Sequence, residues 1–192
     1  IVDSDSADYA LQFWNSDGSR AGACGNASRC VADVMMKALG RDRVAFTTER
    51  GLLRALRLAD GRVSVNMGAP QRDWREVPLS RAVDPMHLPL TGDPVAVGMG
   101  NPHCVVFCEE LDNLQLDIIG PCFENDMMFP ERVNANFVQV LGPNTLKVRV
   151  WERGIGETMA CGTGACASVV AAALNGYCNK GEDIRVILPG GE

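Results

Sequence analysis

Two short stretches of sequence decide the fold expected for this chain: Ala23-Cys24-Gly25-Asn26 and Ala160-Cys161-Gly162-Thr163. Each follows a strand-like segment and a polar loop, and each opens an apolar segment. The first segment, from Asn26 to Leu39, has apolar residues at helical spacing, and Gly40 is placed to end it. The second runs from Thr163 to Asn175 and is rich in alanine. The repetition predicts two similar halves, each with one cysteine at the start of a helix.

The rest of the chain predicts strands joined by turns, so the expected fold class is α/β (α+β). The strand-like segments are Tyr9 to Trp14, Val44 to Thr48, Leu53 to Ala59, Arg62 to Met67, Val95 to Met99, Val105 to Cys108, Phe137 to Leu141, Thr145 to Trp151 and Ile184 to Leu188. Asp60-Gly61 is a two-residue hairpin signal, and Leu111 to Ile119 predicts a further helix. A polar stretch with several prolines, from Gly68 to Pro94, predicts a connection. We therefore expect an N-terminal half at residues 1–73 and a C-terminal half at residues 74–192.

The composition is that of a globular protein, with 46% hydrophobic and 22% charged residues and a formal net charge of −6. A negatively charged chain has no general attraction for phosphate backbones, which argues against nucleic-acid binding. A membrane-spanning helix needs about 20 consecutive apolar residues. The nearest candidate, Met159 to Leu174, is interrupted by Gly162 and Gly164. We therefore expect neither nucleic acid nor a membrane as a partner.

The chain contains eight cysteines, and a core of this size needs no disulfides. We expect reduced thiols and a cytoplasmic location. Cys104 and Cys108 are spaced like zinc ligands, but neither they nor Cys24 and Cys30 are joined by a second close pair of Cys or His, so no metal is predicted. The cysteines expected to lie in or near the core are Cys30, Cys104, Cys108, Cys122, Cys166 and Cys178.

A helix start is a setting that activates a cysteine. The first backbone N–H groups of a helix have no partner within it and carry a partial positive charge, which favours a thiolate and binds a carboxylate. Two such starts that converge on one amino acid could grip its α-carboxylate and place a sulfur on each face of the α-carbon. One sulfur would remove the α-proton and the other would return a proton from the opposite side. A cysteine between Ala and Gly is also a common small buried residue, so spacing alone leaves both interpretations open.

Five motifs carry a resemblance to a known family: Asn15-x-Asp17-Gly18-Ser19, Ala23-Cys24-Gly25-Asn26-Ala27-Ser28-Arg29-Cys30, Gly100-Asn101-Pro102-His103, Phe129-Pro130-Glu131-Arg132-Val133-Asn134 and Glu152-Arg153-Gly154-Ile155-Gly156-Glu157-Thr158-Met159-Ala160-Cys161-Gly162-Thr163-Gly164-Ala165. In order and spacing they resemble the diaminopimelate epimerases, and the resemblance covers essentially the whole chain. It implies two pseudo-symmetric halves, each a curled, mainly antiparallel sheet or barrel around a central apolar helix, with the active site between them. It also implies cofactor-independent interconversion of LL- and meso-diaminopimelate, in the synthesis of lysine and cell-wall precursors.

The resemblance also implies roles for individual residues. The implied catalytic residues are Cys24, Cys161, His103 and Glu152. The residues implied to bind substrate are Asn15, Gly25, Asn26, Asn101, Asn134, Glu152, Arg153, Gly162 and Thr163. Among these, the N–H groups at the two helix starts would hold the reacting carboxylate, and Arg153 would face the distal one. Arginine suits a dicarboxylate because its planar fork can bind a carboxylate at two points.

The chain departs from the family at one internal position and at its ends. Internally, Ala27 replaces a glycine that usually follows Cys-Gly-Asn, which is a small change. The family's opening strand with Gly-x-Gly-Asn-Asp-Phe and its closing strand with Thr-Gly-Pro are absent. The chain also starts at Ile1 rather than at a methionine, without the pattern of a signal peptide. Because those ends pack together in the first half, we expect unpaired sheet edges there and interpret the chain as part of a longer enzyme.

Two other functions stay open. A two-cysteine racemase of proline or hydroxyproline shares a Cys-Gly-Thr-Gly run, although its first motif usually reads Cys-Gly-His rather than Cys24-Gly25-Asn26. An isomerase of the phenazine-pathway type shares the fold but lacks the cysteine pair, so it is not one of these two. An inactive binding module of the same fold is the alternative outside enzymes. The expected partner is a small-molecule substrate, with a homodimer plausible for the family.

Overall fold

The computed structural model of the chain describes residues 1–14, 18, 20–22 and 24–192. The chain divides into two compact units, Ile1–Ala69 and Pro70–Glu192. Both mix helices with mainly antiparallel strands, so the α+β class expected from the sequence is confirmed. No helix within the described ranges is long and apolar enough to span a membrane.

The N-terminal unit is a four-stranded sheet with one long helix. Its elements are β1 (Tyr9–Ala10), β2 (Phe13–Trp14), β3 (Arg20–Ala21), α1 (Gly25–Leu39), β4 (Arg43–Thr48), β5 (Gly51–Arg57) and β6 (Val63–Asn66). The strand order is β1-β4-β5-β6, with β1 parallel to β4 and the other neighbours antiparallel. β2 and β3 form a separate antiparallel pair. The helix and the sheet thus share one apolar core, in which Met36 of α1 and Phe46 of β4 are buried.

Local signals set the ends of α1. Cys24 has an extended backbone at the N-cap, and the helix begins at the next residue. Gly40 adopts a left-handed conformation with φ of 64°, and the N–H of Arg41 donates to the carbonyl of Met36 at 3.1 Å. A residue with a side chain resists that conformation, so glycine ends the helix there. The predicted helix from Asn26 to Leu39 is confirmed to within one residue.

The C-terminal unit is built on a six-stranded sheet. Its elements are β7 (Val95–Gly98), β8 (Pro102–Phe107), a 3₁₀ turn (Leu111–Asn113), α2 (Leu116–Glu124), β9 (Asn134–Gly142), β10 (Thr145–Glu152), β11 (Gly156–Thr158), α3 (Gly162–Leu174) and β12 (Arg185–Ile187). The order is β11-β10-β9-β8-β7, and β12 pairs with β10. β8 runs parallel to β9, whereas β9 and β10 form a long antiparallel hairpin.

Helices cover this sheet on two sides. Side chains alternate along a strand, so Ala135 and Phe137 of β9 pack into the apolar cluster that contains Leu116 of α2. Asn134 and Asn136 lie on the other face of the same strand, and the Oδ1 of Asn136 lies against the first turn of α3. The face of the sheet that packs against α3 therefore carries polar side chains next to the first turn of that helix.

Three sequence predictions differ from the structure. The single strand expected from Tyr9 to Trp14 is two short strands, because Tyr9 and Ala10 pair with β4 whereas Phe13 and Trp14 pair with β3. The helix expected from Leu111 to Ile119 is a 3₁₀ turn followed by α2, because Leu114 is extended with ψ of 129° and interrupts it. The stretch from Gly68 to Pro94, expected as a connection, places Val77 and Leu88 in the core of the second unit. Apolar residues spaced irregularly between prolines gave no periodic signal there.

Candidate active site

Cys161 occupies the N-cap of α3, with an extended backbone (φ −128°, ψ 108°). Its side chain is buried, with 6% exposed. The Sγ accepts a hydrogen bond from the N–H of Gly164 at 3.3 Å and lies 3.5 Å from the Oγ1 of Thr163. Donors that point at a sulfur stabilise its thiolate over its thiol, and the helix start adds a favourable field. The site is therefore suited to a cysteine that cycles between the two forms.

His103 lies on β8 and joins Cys161 through two intermediate side chains. Its Nε2 is 3.0 Å from the Oδ1 of Asn101, and the Nδ2 of Asn101 donates to the Oγ1 of Thr163 at 3.2 Å. The other ring nitrogen, Nδ1, is 3.1 Å from the Nδ2 of Asn136. Four of these five side chains (residues 103, 136, 161 and 163) are buried. A continuous chain of hydrogen bonds thus runs from β9 to the sulfur.

The imidazole of His103 is neutral at ordinary pH. Complete burial lowers the pKa of His103 to about 3, and the positive charge of Arg153 acts in the same direction. An imidazole without charge has one N–H donor and one acceptor nitrogen. His103 therefore orients its neighbours as a neutral group rather than stabilising a thiolate as a cation.

Asn134 holds the turn that carries Glu152 and Arg153. Its Oδ1 accepts from the backbone N–H of Arg153 at 3.0 Å, and its Nδ2 donates to the carbonyl of Pro102 at 3.0 Å. Arg153 also donates from Nη1 to the carbonyl of Glu131 at 2.9 Å. The hydroxyl of Thr158 donates to the Oε1 of Glu152 at 2.6 Å. The side chain of Asn134 is thus buried and bonded at both ends within the protein.

Two residues that belong to this site were not singled out from the sequence. Glu124, at the end of α2, is a buried carboxylate that accepts from the Nε1 of Trp151 and the N–H of Gly154, both at 2.7 Å. Asn136 is the second, and its signal was available. Asn134 and Asn136 are two apart in β9, on a face of the strand whose next residues, Val138 and Val140, are apolar. Glu124 gave no such signal, since one acidic residue at the end of a helix is usually solvated.

The N-terminal unit also places a cysteine at a helix start, but the side chain of Cys24 makes no capping hydrogen bond, unlike that of Cys161. Cys24 is the N-cap of α1, with φ of −148° and ψ of 100°, and its side chain is half-buried. The N–H of Ser28 donates to the carbonyl of Cys24 at 3.0 Å. Gly25 is buried, whereas Asn26 is exposed and its Oδ1 accepts from Arg29. Asn15, predicted to bind substrate, lies outside the described residues.

The other cysteines lack this setting. Burial raises the pKa of the Cys104, Cys108 and Cys178 thiols, so each favours the neutral form. Cys30 and Cys122 are exposed, so the prediction that they lie in or near the core is wrong. They occupy the outward faces of α1 and α2. In the described part of the chain, no three side chains of His, Cys, Asp or Glu are grouped to hold a metal ion.

Solved structures share this fold. A hydroxyproline epimerase from Agrobacterium vitis, with bound trans-4-hydroxy-L-proline, aligns with a TM-score of 0.66 at 15% identity, over 98% of this chain and 62% of that one. A phenazine biosynthesis protein of the PhzF family from Bacillus anthracis aligns with a TM-score of 0.59 at 16% identity, over 88% and 63%. The chain therefore shares its fold with the hydroxyproline epimerase and the phenazine biosynthesis protein.

Sequence comparison narrows the class to one family. The model of the family described as diaminopimelate epimerase matches residues 1–72 and 95–192. Diaminopimelate epimerases of Rhodospirillum centenum and Zymomonas mobilis are 44% and 48% identical, over 91% and 86% of this chain. The chain spans 61% of the length of each of those two relatives. It belongs to the diaminopimelate epimerase family.

Proposed function

We propose that this chain belongs to an enzyme that epimerises LL-diaminopimelate to meso-diaminopimelate, with Cys24 and Cys161 as the acid/base pair. The observation that carries the proposal is the hydrogen bond that the N–H of Gly164 donates to the Sγ of Cys161 at the start of α3, in a chain of this family. The reaction needs no cofactor, because thiolate and thiol supply both proton transfers. Lysine and peptidoglycan precursor synthesis is the pathway role that follows from the family.

The proton balance of the reaction is simple. One cysteine, as thiolate, takes the α-proton and becomes a thiol, which leaves a carbanion delocalised into the α-carboxylate. The other cysteine, as thiol, gives its proton to the opposite face and becomes a thiolate. The N–H groups of Gly25, Asn26, Gly162 and Thr163 hold the carboxylate and stabilise its growing charge, which is usually the largest catalytic contribution.

Recognition of the substrate's other end falls to the turn after β10. Arg153 is the proposed partner of the distal carboxylate, and Glu152 and Asn101 bind polar groups beside it. Asn134 acts on this turn by fixing the backbone of Arg153. His103, neutral and buried, supports the sulfur through Asn101. Asn15 is proposed from its motif alone.

The function is tested in the full chain by replacing each cysteine. We expect Cys161→Ala and Cys24→Ala each to lower exchange of the α-proton of LL-diaminopimelate with deuterated water by about 10²- to 10⁴-fold, the usual contribution of one acid/base group. Cys122→Ala, which removes an exposed thiol, is the matched control. Epimerisation at the normal rate in either catalytic variant would rule out the two-cysteine mechanism.

The runner-up function is racemisation of proline or hydroxyproline, favoured by the shared fold with the hydroxyproline epimerase. The two substrates differ by a second charged end, so Arg153→Ala should impair turnover of diaminopimelate and leave proline unaffected. Turnover of proline alone would reverse the assignment. Binding of diaminopimelate without any proton exchange would instead favour the inactive binding module.

Three further points are proposals about the molecule. The two units, predicted as residues 1–73 and 74–192, are pseudo-symmetric relatives, supported by the matched cysteine N-caps of α1 and α3. In the described residues both main sheets are open, so the barrel implied by the family resemblance is not observed. A cytoplasmic location is proposed because the free thiols of Cys24 and Cys30 fit a reducing compartment. A homodimer is also proposed, and analytical ultracentrifugation tests it.

A further inference from the structure

Asn136 is a fully buried residue of β9 that lies between His103 and the start of α3. Its Nδ2 is 3.1 Å from the Nδ1 of His103. On its other side, Asn136 faces Gly164 of α3. A Cβ added to Gly164 would lie 2.5 Å from the Oδ1 of Asn136 and 3.2 Å from the Sγ of Cys161. Only glycine leaves room at that position of α3. The helix that carries the reactive cysteine is therefore packed directly against this amide.

The orientation of the Asn136 amide follows from its neighbours. Its Nδ2 lies 3.3 Å from the backbone carbonyls of both Cys104 and Asn134. Carbonyl oxygens can only accept, so the NH₂ end must face them. This leaves the Oδ1 without a hydrogen-bond partner in the described structure. A buried oxygen without a partner is costly. The hydrogen bonds that the NH₂ group donates on the opposite side therefore hold the amide in this orientation.

That orientation sets the direction of every hydrogen bond up to the sulfur. The two hydrogens of Asn136 Nδ2 are shared among three acceptors, the two carbonyls and the Nδ1 of His103. An amide nitrogen cannot accept, so Nδ1 is the acceptor of this contact and the neutral imidazole carries its proton on Nε2. Nε2 then donates to the Oδ1 of Asn101, whose Nδ2 donates to the Oγ1 of Thr163. Because the oxygen of Thr163 accepts from Asn101, its own hydrogen is not used in that bond and is available to the Sγ of Cys161, 3.5 Å away.

We propose that Asn136 is a positioning residue that fixes the direction of this chain of hydrogen bonds, so that the chain ends in a donor to Cys161 and favours its thiolate. If the direction were reversed, the hydroxyl of Thr163 would donate to Asn101 and Cys161 would have to donate its S–H to Thr163. The thiol would then be the favoured form. The proposal rests on the proposed acid/base function of Cys161 and adds a residue that touches no substrate.

The tautomer of His103 is the direct test. The sequence has two histidines, and His87 is exposed, so His87→Gln assigns the signals in ¹⁵N-edited NMR spectra of the full chain. At pH 7 we expect His103 to carry its proton on Nε2, with Nδ1 unprotonated. A proton on Nδ1, or an even mixture of the two tautomers, would overturn the proposal without any mutation in the chain of hydrogen bonds.

The ionisation of Cys161 is the second test, followed through the ¹³Cβ shift of labelled cysteine and assigned with Cys161→Ser. Asn136→Leu keeps the branched shape but removes the donor. Thr163→Val removes the last hydroxyl, and Thr163→Ser retains it as the matched control. We expect the first two to raise the midpoint of Cys161 by about one pH unit, since each removes or misdirects one hydrogen bond to a charged group. Thr163→Ser should leave the midpoint of Cys161 unchanged.

The positive charge of Arg153, after β10, acts on His103, and the buried thiol of Cys104 belongs to the residue next to His103 on β8. All three residues are retained in all variants. An Asn136→Leu protein with the normal tautomer and midpoint would refute the proposal, as would equal midpoints for Thr163→Val and Thr163→Ser. If Asn136→Leu fails to fold, the tautomer of the unmutated chain and the Thr163 pair still decide.

Neither measurement needs turnover, so the two proposals fail separately. A chain with the expected tautomer and midpoints that does not epimerise diaminopimelate refutes the proposed function and leaves the positioning role. An active epimerase whose His103 carries its proton on Nδ1 refutes the positioning role and leaves the function.

Discussion

At the scale of single residues, Glu124 shows how one buried carboxylate can hold a turn. It accepts hydrogen bonds from the indole of Trp151, the N–H of Gly154 and the guanidinium of Arg132. All three donors point at one acid that is 6% exposed. The turn after β10 carries Arg153, the residue proposed to bind the distal carboxylate. This turn therefore depends on Glu124, a carboxylate at the end of α2.

Replacing Glu124 with glutamine should test that dependence. Glu124→Gln turns one acceptor into an NH₂ group that faces donors, so we expect the free energy of unfolding to fall by ~2 kcal/mol. Urea unfolding followed by tryptophan fluorescence measures it. Glu110→Gln, at an exposed acid of the same unit, is the control. Equal, small losses in the two variants would show that Glu124 is not a structural acid.

His103 should make the protein less stable in acid. The unfolded residue has a pKa near 6.5, whereas burial lowers the pKa of the folded residue to about 3. Between these values the unfolded chain binds a proton that the folded chain does not. The stabilisation is therefore complete above about pH 6.5 and falls by up to ~1.4 kcal/mol per pH unit as the pH drops towards 3.

The measurement is the slope of unfolding free energy between pH 7 and pH 5. His103→Gln should reduce that slope, whatever its effect on stability at pH 7. His87→Gln is the control of opposite sign, because a hydrogen bond and the charge of Asp93 raise the pKa of His87, so its stabilisation is lost as pH rises. An unchanged slope in His103→Gln would contradict the neutral, buried imidazole.

At the scale of elements, α2 packs on β10 through the contact of Gly120 with Trp151. A Cβ on Gly120 would lie 2.4 Å from the indole ring, closer than any relaxed contact. Alanine is otherwise preferred over glycine in a helix by about 1 kcal/mol. Packing and helix propensity thus make opposite predictions at this position.

We expect packing to decide, with Gly120→Ala lowering the free energy of unfolding by about 1–3 kcal/mol through overpacking. Gly142→Ala is the matched control, because a Cβ there meets nothing within 4 Å. Thermal or urea unfolding compares the two. A gain in stability for Gly120→Ala would mean that the indole moves aside at little cost.

At the scale of the whole molecule, the segment before β7 is part of the core of the second unit. Leu88 is 2% exposed and belongs to the same apolar cluster as Phe137 of β9. The N–H of Ala96 also donates to the carbonyl of Pro85 at 2.7 Å. The segment thus folds with the unit that contains Cys161, although much of it lies outside the match to the family.

Leu88→Ala should therefore destabilise the second unit by about 2–5 kcal/mol, the usual cost of a large-to-small change in a core. Leu141→Ala removes the same side chain from a position that is 51% exposed and should cost less than about 0.5 kcal/mol. Chemical unfolding measures both. Similar costs for the two would show that residues 70–94 do not contribute to the core.

The helices α1 and α3, and the cysteines at their starts, could be predicted from the sequence alone. Helix boundaries depend on caps and spacing within a few residues, such as Cys24 and Gly40 around α1, so they are readable locally. The motifs around Cys161 likewise sufficed for the family, because their residues are contiguous.

The neutral state of His103 and the roles of Asn136 and Glu124 could not be predicted from the sequence and follow from the folded structure. Each depends on partners far along the chain: Asn136 lies 33 positions from His103, and Glu124 lies 27 from Trp151. A side chain's charge and hydrogen-bond direction are set by desolvation and by the groups that surround it. Those surroundings exist only once β8, β9, β10 and α3 have packed together.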